Sequence, residues 1–119
     1  MGEMQGIARI KIHKGKLEEF KRLAAKCMEI VRTKDTGTLQ YEMYMSEDQS
    51  ECLVFERYRD SEAGLEHSKN VQEMMGALLQ VCSITGEVCG APSPALRKSL
   101  EEQGVPIYAP YQSAVSAKG

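Results

Sequence analysis

The chain predicts a single α+β domain with its elements in the order β-α-β-β-α-β. Three observations carry that expectation. Four segments show strand patterning, alternating or continuously apolar. Two stretches between them repeat apolar residues every three or four positions. The 119 residues supply one core rather than two. That order is the split β-α-β, or ferredoxin-like, arrangement: an antiparallel sheet with helices on one face.

The first strand is Ala8-Arg9-Ile10-Lys11-Ile12-His13, apolar at every second position, and Lys14-Gly15-Lys16 breaks it. From Leu17 the period becomes helical: Leu17, Phe20, Leu23, Ala24, Cys27, Ile30 and Val31 form one stripe. Glu18 and Glu19 in the first turn and Arg32 and Lys34 in the last complement the helix dipole, and Gly37 ends the connection. Leu39, Tyr41, Met43 and Met45 alternate with Gln40, Glu42 and Tyr44 as a second strand, and Ser46 to Glu51 is the hairpin loop. The third strand, Cys52 to Tyr58, is apolar on both faces, as in a strand covered on both sides.

Asp60 is the expected N-cap of a short helix through Leu65 and His67. A bend near Ser68, with Asn70 as a second cap, leads to Val71, Met74, Met75, Leu78 and Leu79 on one helical face. Ile84 to Cys89 is the last core strand, and Gly90-Ala91-Pro92 closes a domain of residues 1–90. Residues 91–119 form a C-terminal extension: a helix from Pro94 to Gln103 stopped by Gly104, a short edge strand at Val105-Pro106-Ile107-Tyr108, and a frayed end from Ala114 to Gly119.

Two helices cover one face of such a sheet, yet the third strand is apolar on both faces and the second carries Tyr44 outward. Two copies packed face to face solve this, so a homodimer is expected.

Composition narrows the function. Apolar and charged fractions of 42% and 27% are those of ordinary globular proteins. With a net charge of −2 and no basic stripe, a nucleic-acid partner is not expected. No apolar run approaches the roughly 18 residues of a membrane span, and Met1 to Gln5 shows neither a basic start nor an apolar run. The expected location is cytoplasmic. Cys27, Cys52, Cys82 and Cys89 lack Cys-x-x-Cys spacing and read as buried thiols; with only two histidines, no metal site is expected. No phosphate-cradling loop, His-Glu-x-x-His or nucleophile elbow is present.

The run Gly37-Thr38-Leu39-Gln40-Tyr41-Glu42-Met43-Tyr44, the polar hairpin, and then Val54-Phe55-Glu56-Arg57-Tyr58-Arg59-Asp60-Ser61-Glu62-Ala63 with His67 beyond resemble the antibiotic biosynthesis monooxygenase family over residues 4–90. The resemblance implies a dimeric α/β barrel. The family pattern of strand tyrosine, glutamate, aromatic, acidic helix start and histidine falls on Tyr41, Glu56, Tyr58, Asp60 and His67. The aromatic after the glutamate is commonly Trp, whereas here it is Tyr58 and the chain has no Trp. The resemblance therefore does not extend to haem degradation, for which relatives use an Asn, Trp and His set.

The resemblance further implies oxygenation of a quinol or similar hydroxylated aromatic with no metal, flavin or other cofactor. Such a reaction needs a base to ionise the phenol, a water-poor pocket and donors for the developing oxyanion. His67 is the candidate base, since imidazole titrates near neutrality. Tyr58 shares a strand face with Glu56, Val54 and Cys52, where it either stacks on substrate or fills the core. Glu56 has three roles open to it: orienting His67, accepting from a substrate hydroxyl, or pairing with an arginine such as Arg9. Tyr41, Met74 and Met75 are candidate substrate-binding residues on an adaptable apolar wall, with plain core packing as the alternative. His13 reads as solvated. Two other functions fit the same frame: isomerisation of a small hydroxyketone, or a non-catalytic ligand-binding or stress-response module.

Overall fold

A computed structural model describes residues 2–116. The elements are β1 (Met4–Ile12), α1 (Leu17–Lys34), β2 (Thr38–Met45), β3 (Glu51–Tyr58), α2 (Ser61–Asn70), α3 (Gln72–Leu78), β4 (Cys82–Cys89), α4 (Pro94–Glu102) and β5 (Ile107–Tyr108). They build one open sheet in the order β2-β3-β1-β4-β5, with helices on one face. The first four strands are antiparallel, and β5 adds to the β4 edge in parallel. This is the ferredoxin-like arrangement expected, extended by a helix and a two-residue strand.

Strand alternation fixes which residues meet the helices. Register pairs Gly6 with Glu56 and Ala8 with Val54 on the inner face, and Ile7 with Phe55 on the outer. Ile10, Cys52, Val54 and Cys82 of the inner face pack against Phe20, Leu23 and Ala24 of α1 and Leu78 of α3. A smaller core gathers Met4, Tyr58 and Ala63 with Leu96 and Leu100 of α4, so the extension packs on the same inner side. Ser93 caps α4 by accepting from the Leu96 amide, and Gly104, at φ 71°, turns the chain out of it.

Several local expectations are corrected. The α2–α3 break falls at Val71 rather than Ser68, and Asn70 caps nothing: its side chain reaches Asp35 instead. A bulge between Thr38 and Gln40 takes Leu39 off the Tyr41–Met43 face and leaves it 48% exposed. Cys27, Cys52 and Cys82 are buried, but Cys89 is exposed because it ends β4 on the outer face; all four are free thiols. In the extension β5 is confined to Ile107–Tyr108, residues 114–116 are exposed, and 117–119 lie outside the described residues. The outer face is apolar at its centre, where Tyr44 meets Phe55 edge-on at 5.5 Å between Leu53 and Ile7. Among the described residues no helix is long and apolar enough to cross a membrane.

Candidate active site

Between the sheet and the helices lies a cavity of about 1190 Å³, large enough for an organic ligand of several rings. Its floor is sheet: Gly6, Ala8 and Gly86 leave the strands nearly bare, flanked by Tyr41, Val54 and Glu56. Its roof is Leu65, His67 and Val71 of the α2 region and Met75 and Leu78 of α3. Gln103 to Pro106 of the extension form a third wall.

His67 is the one polar residue buried with the core among the described residues, at 7% exposure. Its placement follows from α2. Asp60 starts the helix by accepting from the Ala63 amide, which sets Ala63 against the sheet; His67, one turn later, lies on the same face. Gly37 makes the approach possible, since a Cβ there would stand 2.6 Å from that of Ala63. Thr36 ties the loop to the helix by donating its amide and hydroxyl to Glu66, at 2.9 and 3.0 Å.

The ring of His67 sits between two tyrosines, with centroids 5.0 Å from Tyr41 and 5.2 Å from Tyr58. Its Nδ1 is 2.8 Å from Oδ2 of Asp35, whose side chain is 1% exposed. Thr38 donates to the same oxygen at 2.6 Å, and the Asn70 amide donates to the other at 2.8 Å. Burial alone would raise the Asp35 carboxyl, but the hydrogen bonds from Asn70, Thr38 and His67 outweigh it and hold the group below the usual carboxylate range. Nε2 of His67 has no partner within the described chain. No polar side-chain atom there is both buried and unbonded, so Nε2 opens to the cavity that His67 lines.

The β2 bulge is what assembles this network. Thr38 and Tyr41 are three residues apart and would point to opposite faces of a regular strand. With one residue bulged out, Thr38 lies opposite Tyr58 and Tyr41 opposite Glu56, both on the inner face.

Glu56 lines the cavity beside Gly6 and accepts a very short hydrogen bond from the Tyr58 hydroxyl. Its hydrogen bond goes to Tyr58 rather than to His67 or an arginine, while its place on the cavity wall is compatible with accepting from a substrate hydroxyl. Asp35 takes the place beside His67, and Arg9, on the outer face, pairs with Glu87 at 2.6 Å. Burial pushes the Tyr58 and Tyr41 phenols far above their usual range, reinforced by the charge on Glu56, so both stay neutral donors. Tyr41 lines the cavity and its hydroxyl lies 3.5 Å from Sγ of Cys27. Tyr58 lies just behind the lining, in the smaller core. Met75 lines the cavity, whereas Met74 packs against the larger core. His13 is exposed beside Ser83. Among the described residues no three His, Cys, Asp or Glu side chains cluster to hold a metal ion.

Sequence reading missed Asp35, Thr38 and Asn70. One signal was available: Asp35 directly follows the last turn of α1, where the dipole disfavours an acid, so a carboxylate there has a tertiary reason.

An open ferredoxin-like sheet carrying a ligand-sized cavity with a buried histidine defines a small-molecule-binding α+β protein. The chain belongs to the antibiotic biosynthesis monooxygenase family, whose model matches residues 6–74. Among solved structures it is similar to MupZ from Pseudomonas fluorescens, at 22% identity and a TM-score of 0.83 over 98% of this chain and 91% of that one. That match takes in the extension. SnoaB from Streptomyces nogalater, described as a cofactor-independent oxygenase, matches at 14% identity and a TM-score of 0.67 over 78% of this chain and 96% of its own. Rv0793 from Mycobacterium tuberculosis matches at 23% identity and a TM-score of 0.63 over 77% and 96%. At such identities the likeness concerns the fold. No curated protein matches the chain.

Proposed function

We propose that the protein is a cofactor-independent monooxygenase acting on a quinol or similar hydroxylated aromatic, with His67 as the base. The observation that carries this reading is a buried imidazole whose unbonded Nε2 opens onto a largely apolar cavity. Family membership and the likeness to SnoaB support it.

In this reading the substrate lies on the bare strand floor with a ring hydroxyl at Nε2. His67 takes the phenolic proton, and the electron-rich phenolate passes an electron to dioxygen directly, which removes the need for a metal or flavin. The apolar walls keep water from the reactive pair, and Tyr41 is a neutral donor for developing oxyanion charge. The balance closes without a further reductant. The substrate supplies four electrons and two protons, one oxygen atom enters the product, and the other leaves as water. Two copies packing through the outer sheet face complete the proposed dimer.

Aerobic incubation of metal-free protein with reduced naphthoquinones and anthrones, followed by an oxygen electrode, tests the reading. Uptake well above the buffer rate is expected, falling by about 10²–10⁴-fold in His67→Ala. Uptake at the buffer rate across the panel refutes it, and turnover that persists without oxygen assigns the site to isomerisation instead.

A further inference from the structure

The second nitrogen of His67 and the chain segment that meets it carry an inference about how the base is set. We propose that Asp35 is a positioning residue that fixes His67 as the Nδ1–H tautomer, leaving the lone pair of Nε2 directed to the cavity. The proposal deepens the reading of His67 as a base and rests on it for its catalytic consequence, but its structural content stands apart from any substrate.

An ionised carboxylate offers only lone pairs. Asp35 is held in that form by donors from two other elements: the Thr38 hydroxyl on β2 and the Asn70 amide at the end of α2. Nδ1 of His67 stands 2.8 Å from Oδ2, so it must carry the proton in that contact. A neutral histidine side chain free in water prefers its proton on Nε2, so the protein inverts the intrinsic choice. The carboxylate and the ring are also held from several sides. Thr38 and Asn70 clamp the carboxylate from both oxygens, while Tyr41 and Tyr58 flank the ring. Asp35 therefore sets both which nitrogen is the acceptor and where it points, and it does so from behind the ring.

With two histidines in the chain, His67 and exposed His13, long-range ¹H–¹⁵N correlation spectra read the tautomer directly. In the unsubstituted protein above the pH at which the imidazole is neutral, the His67 signals are expected to show a protonated Nδ1 and an unprotonated Nε2. A protonated Nε2 overturns the proposal. In Asp35→Asn the tautomer is expected to shift toward Nε2–H, and kcat on any substrate that the His67→Ala control establishes is expected to fall about 10²–10⁴-fold, with KM little changed. An unshifted tautomer or an unchanged kcat in a folded Asp35→Asn protein overturns it equally. Should Asp35→Asn not fold, Thr38→Val loosens the carboxylate while keeping its charge. A weaker Nδ1–H signature is then expected, and an unaltered one counts against the proposal. No oxygen uptake by the unsubstituted protein, with the Nδ1–H tautomer intact, overturns the monooxygenase reading but not this one.

Discussion

The side chain of Asp35 is nearly inaccessible yet ionised, and that has a consequence for stability that does not depend on any substrate. An aspartate in the unfolded chain titrates near ~3.9, and the native group titrates lower because of its three donors. A depressed carboxylate stabilises the fold fully above the unfolded pKa, and that contribution disappears as pH falls through the native one. The stability gap between the unsubstituted protein and Asp35→Asn is therefore expected to be widest at neutral pH and to shrink below about pH 4, as urea midpoints across an acid series will show. A gap that holds constant to pH 2 would mean that the carboxylate is not held this way. At this scale the sequence was half legible. Glu56, Tyr58, Tyr41 and His67 all emerged from strand parity and family pattern, because each lies on a regular element. Asp35 and Asn70 did not, because their meaning arises only when the end of α1 is brought against the end of α2.

At the scale of elements, the site depends on how closely α2 approaches the start of β2. Gly37 is the point of contact, and a methyl there would collide with Ala63 at 2.6 Å. Gly37→Ala is expected to cost about 1–3 kcal/mol, measured by urea denaturation, and to disturb the ring signals of His67, which lies one turn beyond Ala63. Denaturation unchanged by the substitution would show that α2 has room to retreat. Strands and helices were readable because their apolar period survives folding unchanged. The β2 bulge was not: Leu39, Tyr41, Met43 and Met45 alternate so regularly that nothing in their types announces the extra residue at Leu39. The break at Val71 was likewise hidden, because Asn70 is a good capping residue that the fold employs elsewhere.

For the whole molecule, the open question of sequence patterning was why β3 is apolar on both faces. In the single chain Leu53 remains 39% exposed and Tyr44 52%, on the face opposite the helices. If a second copy covers that face, Phe55→Glu places a charge at the centre of the interface and is expected to convert the sedimentation profile from dimer to monomer. A monomeric unsubstituted protein, or a dimer indifferent to the change, would leave the face to another purpose. The extension was only partly legible at this scale. Its helix, proline start and glycine stop were read from residue types, but not that Val105 and Pro106 would wall the cavity. That depends on where β4 leaves the chain.

The position of β1 at the middle of the sheet also shapes how the molecule comes into being. Its residues pair on one side with β3, Met4 against Tyr58, and on the other with β4, Gln5 against Cys89. Closing contacts so distant along the chain is slow. On the ribosome β1 waits with both hydrogen-bonding edges bare until β3 emerges to cover one, and its other edge stays bare until β4 follows. A nascent chain stalled before β4 would present that bare edge to its neighbours, which adds a hazard of misassembly during the biogenesis of this protein.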